Sequence, residues 1–201
     1  MISVAPAGAV PGNRSHRAGN PRNGLLACSF VSIPLAVPNT VTLVDVDETV
    51  LADMVDAAVH DADPDEVTPP IDDGGEWTDA RLDSLRDLHR SCRAGLAGPI
   101  GQATWAVCQD GRVVGAVRLK RTKDNGVLET GIWLCRSARG SGTALSALRA
   151  LVGKAVDHGA KAIYAETTLN NVRAQGVLRQ LGFALSSGPR PDEVRALLRL
   201  R

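Results

Sequence analysis

The run Arg139-Gly140-Ser141-Gly142-Thr143-Ala144 puts two glycines and an arginine directly ahead of an amphipathic stretch. Glycines let successive backbone N–H groups turn toward one point. A helix beginning there adds its unsatisfied donors and the positive end of its dipole. Such a nest suits a diphosphate, and Arg139 can add a charge-assisted contact. It is not a Walker loop, because no Gly-Lys-Ser/Thr follows. The second chemistry-bearing residue is Glu129, in the alternating run Val127–Leu134. A carboxylate on a strand face can accept a proton. It can equally pair across strands with a cation such as Lys120 or Arg121. The residues alone leave both alternatives open, as they leave open a plain strand-to-helix turn for the glycine loop.

The elements that must position these residues follow from periodicity. A strand is predicted over Val41–Val46. Val50, Leu51, Met54, Val55 and Ala58 then sit at helical spacing from Glu48 to about His60. Residues 61–76 are rich in Pro, Gly and Asp and are expected as a loop. Thr78 is the expected N-cap of a second helix, with Arg81 rather than Glu three residues on; its stripe is Leu82, Leu85, Leu88 and Cys92. Strands are expected at Thr104–Cys108, Val113–Leu119 and Val127–Leu134, with turns at Gln109-Asp110-Gly111 and Lys123–Gly126. A helix over 142–157 follows, with the stripe Leu145, Leu148, Leu151, Val152 and Val156 and a closing Gly159. Ala162–Glu166 reads as a strand. Asn170 or Asn171 caps a short helix ending before Gly182. Phe183–Ser186 and 194–200 read as two last strands, the second compatible also with a helix. Hairpins ahead of the glycine loop imply an antiparallel sheet and disfavour a dinucleotide-binding βαβ fold.

The chain has 201 residues, 44% hydrophobic and 22% charged, enough for one sizeable core. Its net charge of +1 gives no general field for nucleic acid. Residues 1–40 hold Arg14, Arg17 and Arg22 and no acid, so all 22 acids lie beyond them. Cys28, Cys92, Cys108 and Cys135 form no C-x-x-C pair and have no His cluster beside them. Reduced, buried thiols are therefore expected, with no metal and no disulfide framework. No stretch reaches transmembrane length. Gly24–Val37 follows basic residues and has the apolarity of a secretory signal, and Leu25–Cys28 mimics a lipoprotein cleavage site. A lipoprotein signal has its apolar run before the cysteine, however, where Asn20–Gly24 stands here. Residues 1–37 are expected as a flexible tail and 38–201 as the folded domain.

The motifs taken together resemble the GNAT family of acetyl-CoA-dependent N-acetyltransferases, in its branch of ribosomal-protein and antibiotic N-acetyltransferases. Leu128-Glu-Thr-Gly-Ile-Trp-Leu134 is similar to that branch's fourth strand. Arg139–Ala144 fits its Arg/Gln-x-x-Gly-x-Gly/Ala loop. Ala165–Ala174 resembles the fifth strand and its Asn cap, and Val177–Phe183 the ending in Gly-Phe. The resemblance is loose from Val41 and close from Leu128 to Phe183. It implies an α/β (α+β) fold: a mixed, mostly antiparallel sheet of six to seven strands, splayed fourth and fifth strands, and about four helices. Acetyl-CoA would be the cosubstrate, with its pantetheine arm in the splay. Backbone groups near Leu134 and Arg136 would bind that arm. Backbone N–H groups of Gly140, Ser141, Gly142, Thr143 and Ala144 would hold the diphosphate, with Arg139 beside it, and Asn171 would reach across the splay. Glu129 would be the base and the Leu134 N–H the oxyanion donor.

The sequence departs from the family at the general acid. The usual tyrosine position falls on Leu178 and the alternative serine on Ala174. The resemblance implies an acceptor amine on a small molecule or a protein N-terminus, attacked directly. The alternatives are an aminoglycoside acceptor and a module that binds acyl-CoA without catalysis. Asp61, Asp63, Asp65, Glu66, Asp72, Asp73 and Glu76, with no Lys or Arg among them, read either as a solvated loop or as a groove for a cationic acceptor. The resemblance allows a homodimer, gives no role to nucleic acid or membrane, and places the enzyme in the cytoplasm with its donor.

Overall fold

The computed structural model describes residues 40–69 and 75–201; the predicted tail over 1–37, Cys28, Asp72 and Asp73 lie outside the described residues. The chain order is β1 (Val41–Asp45), α1 (Glu48–Asp61), α2 (Pro64–Val67), α3 (Asp79–Ser91), β2 (Gln102–Gln109), β3 (Arg112–Arg121), β4 (Val127–Leu134), α4 (Thr143–Asp157), β5 (Ala162–Thr168), α5 (Val172–Gln180), β6 (Ala184–Ser187) and β7 (Glu193–Arg199). The seven strands form one sheet in the order β1-β2-β3-β4-β5-β7-β6. Every pairing is antiparallel except β4 with β5.

Local chemistry explains most boundaries. Asp47 caps α1 by accepting from Val50 N at 2.8 Å, and Thr78 caps α3 by accepting from Arg81 N at 3.3 Å. Asp110 and Gly111 both take positive φ, as a two-residue hairpin between β2 and β3 requires. Residues 194–199 belong to strand β7 rather than a helix, because they fill the slot between β5 and β6.

Strand alternation divides the interior in two. One face of the sheet carries Val107, Val117, Leu119, Leu128, Ile132, Leu134, Ile163 and Ala165 and packs on Leu148 and Leu151 of α4 and Leu178 of α5. The other carries Ala106, Cys108, Ala116 and Trp133 and packs on Leu51, Met54 and Ala58 of α1 and Leu85 of α3. Cys92, Cys108 and Cys135 are free and buried in these layers.

Three expectations need correction. The loop over 61–76 contains the short helix α2, started by Asp63, whose carboxylate accepts from Asp65 N at 3.0 Å with Pro64 at the first position. The described residues thus hold five helices. The α4 stripe is rotated: Ala147, Leu148, Leu151 and Ala155 are buried, and Val156 is exposed. Small alanines let the helix lie close on the sheet, which apolar counting undervalues. In α3 the buried positions are Arg81, Leu85 and His89, while Leu88 is partly exposed. That helix turns polar side chains inward, because its inner face borders a cleft as well as a core.

Two glycines give opposite expectations. A Cβ at Gly115 in β3 would lie 2.2 Å from the Trp133 carbonyl oxygen and 2.8 Å from Leu134 Cδ2. Gly153 in α4 has open space around it. Gly115→Ala should lower stability by about 1–3 kcal/mol through overpacking, and Gly153→Ala should raise it by about 0.5–1 kcal/mol. Denaturant midpoints of the two variants check both signs.

Candidate active site

The parallel pairing of β4 and β5 covers only Val127 with Ala162, Leu128 with Ile163 and Glu129 with Tyr164. Beyond it β4 continues to Leu134 and β5 to Thr168, so the two strands part and leave a gap. Cys135 N donates to Val114 O at 2.8 Å, toward β3. Alternation therefore turns the N–H and C=O of Leu134 and Ile132 to the other edge, into the gap. The Thr130 hydroxyl, where the strands begin to part, is buried and has no hydrogen-bond partner among the described residues.

At the far end of β4 lies the glycine loop. Gly140 and Gly142 have φ of 85° and 86°, and nothing stands within 4 Å of where their Cβ atoms would be. Gly142 caps α4 without any side-chain hydrogen bond to the first turn. The loop's side chains point away from that open side. Ser141 Oγ donates to Ala138 O at 3.1 Å, and Thr143 Oγ1 donates to Gln109 Oε1 at 2.7 Å. Side chains fix the loop and leave the backbone N–H groups of Gly140–Ala144 without a partner among the described residues, an arrangement that suits a diphosphate. Asn171 is the cap of α5, accepting from Ala174 N at 3.1 Å.

Arg139 is placed otherwise than the sequence suggested. Its Nε and Nη2 donate to Leu134 O at 3.0 and 2.8 Å, and Nη2 also pairs with Glu66 of α2. The two side chains are only 10% and 8% exposed. The guanidinium is folded under the loop, so it steadies the β4 end rather than projecting beside a diphosphate. Arg136 is exposed and reaches Asp63 at 3.6 Å. Asp61 accepts from Ser137 N at 3.0 Å and from Ser137 Oγ at 2.5 Å. Burial raises the Asp61 carboxyl, but the two Ser137 hydrogen bonds and the charges of Arg136 and Arg139 hold it below the ordinary aspartate value. Asp65 pairs with Arg81, fully buried, at 2.9 Å. Four acids of the 61–76 segment thus have internal partners, which the count of charges could not reveal.

A cleft of about 500 Å³ opens between this segment, α3 and the sheet face that carries Glu129. Its floor holds Arg118, Lys120, Glu129, Gly131, Trp133 and Glu166. The partner of Glu129 is Arg118, not Lys120 or Arg121: Arg118 Nη2 donates to Glu129 Oε1 at 2.6 Å. Gly131 makes this diagonal reach feasible, since a Cβ there would lie 2.7 Å from Arg118 Nε. Burial pushes the Glu129 carboxyl up. The Arg118 hydrogen bond and charge, with Lys120, pull it further down, leaving it below the ordinary glutamate value. Glu166 accepts a short hydrogen bond from the Tyr164 hydroxyl. Burial and this carboxylate push the Tyr164 phenol up. His89 lines the cleft from α3 with Nδ1 3.0 Å from Thr104 Oγ1. Leu178 and Ala174 are buried and supply no acid.

Arg118, Glu166, Tyr164 and His89 were not singled out from the sequence. Alternation in β5, combined with a parallel β4–β5 register, places Tyr164 and Glu166 on the Glu129 face, so a signal existed for two of them. His89 had one too: it stands four residues after Leu85 and three before Cys92, on the same face of the helix.

Fold and site share one plan: a parted parallel strand pair ending at an uncapped helix. The sequence pattern of the GNAT acetyltransferase domain matches residues 41–184. The chain belongs to the GNAT acetyltransferase family. A comparison with curated proteins finds no match. Among solved structures, the chain is similar to the GNAT domain of S. lividans PAT, with 17% identity, TM-score 0.61, and coverage of 80% of this chain and 89% of that one. It is similar to the ribosomal L7/L12 alpha-N-protein acetyltransferase RimL, solved with coenzyme A, at 14% identity, TM-score 0.62 and coverage of 84% and 97%. It is also similar to yncA of Salmonella typhimurium, a putative acetyltransferase solved with acetyl-CoA, at 17%, 0.61, and 81% and 95%.

Burial, followed by the Arg93 charge, lowers the His89 pKa to about 4 from 6.5. The folded form thus resists a proton that the unfolded chain accepts below about pH 6.5. Stability is full above that pH and is lost as pH falls toward 4. Between pH 7 and 5 this one group should remove about 2 kcal/mol. Melting curves of wild type and His89→Asn check it: the variant should lose most of that slope.

Proposed function

We propose that the protein transfers the acetyl group of acetyl-CoA to an amine by direct attack, in the cytoplasm where that donor is made. The single observation that carries this is the gap between β4 and β5, beyond which the N–H groups of Gly140–Ala144 have no partner among the described residues. The residues present fit the donor. Gap-facing backbone groups of Ile132 and Leu134, and those near Arg136, suit an extended amide-bearing arm. The glycine nest suits a diphosphate, with Asn171 on the opposite wall. When bound, acetyl-CoA supplies the activated acyl group.

The chain's own residues do the rest. The Leu134 N–H is aimed into the gap and offers charge stabilisation to an acyl oxygen. Arg139 fixes the carbonyl of the same residue, so this donor is held in orientation. Glu129, ionised beside Arg118, takes the amine proton directly or through water. Arg118 lowers its basicity and also keeps it charged and in place. No side chain takes the general-acid role at Leu178 or Ala174. A thiolate with a pKa near 8.5 leaves with little help. That same feature favours the second reading, an acyl-CoA-binding module without catalysis. A protein N-terminus and an aminoglycoside remain rival acceptors to a small amine.

Acetyl-CoA at about 100 times its dissociation constant should stabilise the protein by about 2.7 kcal/mol. Gly142→Asp, which puts a charged side chain at a left-handed position of the nest, should abolish that shift. Thermal melts with and without ligand check this, and an unshifted wild type would overturn the assignment.

Glu129→Gln should lower kcat/KM about 10²–10⁴-fold near neutral pH while leaving acetyl-CoA affinity unchanged. The loss should shrink as pH rises, because more of the amine is then already neutral. Thiol release measured across pH tests this; near-normal turnover would pass the base role to Glu166.

A further inference from the structure

The charges on the cleft floor are sorted by strand. Arg118 and Lys120 stand on β3, Glu129 on β4 and Glu166 on β5. Glu129 takes one nitrogen of the Arg118 guanidinium at 2.6 Å. The rest of its five N–H donors meet no acceptor among the described residues, and its side chain remains 26% exposed to the cleft. Lys120 lies directly across from Glu129 in register, yet makes no ion pair among the described residues. The β3 side therefore carries two cations against one carboxylate. On the β5 side Glu166 has, among the described residues, only the Tyr164 hydroxyl as its hydrogen-bond partner. The Arg195 guanidinium lies 5.9 Å from the Tyr164 ring and does not pair with Glu166. Overhead, Asp65 and Glu66 are paired with Arg81 and Arg139, and His89 is buried with Thr104, so none of these described residues above the floor reverses this polarity.

We propose that the acceptor is an amino acid or close analogue, its carboxylate held by Arg118 and Lys120 and its amine turned toward the β4–β5 gap. This rests on the acetyl-transfer reading above. The direction follows from the site: the amine must meet the acyl group at the gap, between Glu129 and Glu166, which places the acceptor's other substituent over β3. A guanidinium with free donors and a neighbouring ammonium suit a carboxylate there. A cleft of about 500 Å³ admits a small molecule of this kind. Proton and acyl bookkeeping is that of the parent reaction: the N–C bond forms, the S–C bond breaks, a carboxylate of the site takes the amine proton and the thiolate leaves.

The test is a thiol-release assay with three matched acceptors: an amino acid, its carboxamide and its decarboxylated amine. The carboxamide amine is less basic than that of the acid and the decarboxylated amine is more basic, so the two controls bracket any effect of amine pKa. The amino acid should exceed both in kcat/KM by about tenfold or more. Arg118→Gln lowers all three through Glu129, but the preference for the acid should collapse to near one. Lys120→Gln should reduce that preference about two- to fivefold. Equal use of the three acceptors, turnover confined to aminoglycosides or peptide N-termini, or a preference untouched by both variants would overturn the proposal. If acetyl-CoA still shifts the melt but no amine releases thiol, the parent reading of catalysis falls with it. Robust turnover of amines lacking a carboxylate leaves the parent standing and removes this inference alone.

Discussion

A strand edge left open inside a protein exposes N–H and C=O groups that elsewhere in the sheet are paired, and leaving them buried without partners is unfavourable. β4 carries such an edge from Thr130 to Leu134. Its other edge is held by an uninterrupted ladder to β3 from Gly115 to Arg121, so the strand cannot relax toward β5. β5 is fixed in turn by a full seven-residue pairing with β7. The gap is thus imposed by the neighbours of the two strands. What fills it must offer donors and acceptors at strand spacing, and the rest of the site is arranged around that demand.

Arg139 meets part of the demand from within the chain. By donating twice to the Leu134 carbonyl it closes the last acceptor of the open edge and leaves the N–H of the same residue directed into the gap. A guanidinium this buried requires a counter-charge, which Glu66 supplies from α2. Asp61 and Asp63 add contacts to the turn at 136–138. The segment that roofs the cleft and the glycine loop are therefore one connected unit. A shift of α2 cannot occur without disturbing the end of β4, so the geometry there depends on residues whose sequence neighbourhood shows only a string of acids.

This explains how much of the protein could be read in advance. Strands, hairpin turns and helix caps follow local rules, and Asp47, Thr78 and the Asp110–Gly111 turn behave as those rules require. The parted strand pair and the glycine nest were legible because four short motifs carried them in order. What escaped were side chains whose role is set by distant partners: Arg81 under Asp65, Arg139 under Glu66, and Arg118 crossing Gly131 to Glu129. Pattern reading assigns arginines to the surface and alanines to no particular place, so it missed both the buried cations and the alanine-lined contact of α4.

The Arg118–Glu129 contact also resolves what first looks like a conflict between the two roles open to Glu129. An ion pair and a proton acceptor are alternatives only if the pair occupies the whole carboxylate. Arg118 engages one oxygen, Oε1, and the side chain keeps 29% exposure in the cleft, so the second oxygen is left without a partner among the described residues. The pairing keeps the carboxylate ionised and anchored, as a group that must be charged before the amine arrives requires. A carboxylate adjacent to the acceptor amine, fixed over β3, would orient the nitrogen lone pair toward the gap, and orientation can replace part of the driving force that a stronger base would give. The same guanidinium would then serve both partners of the reaction, holding the base with one nitrogen and the acceptor with the others.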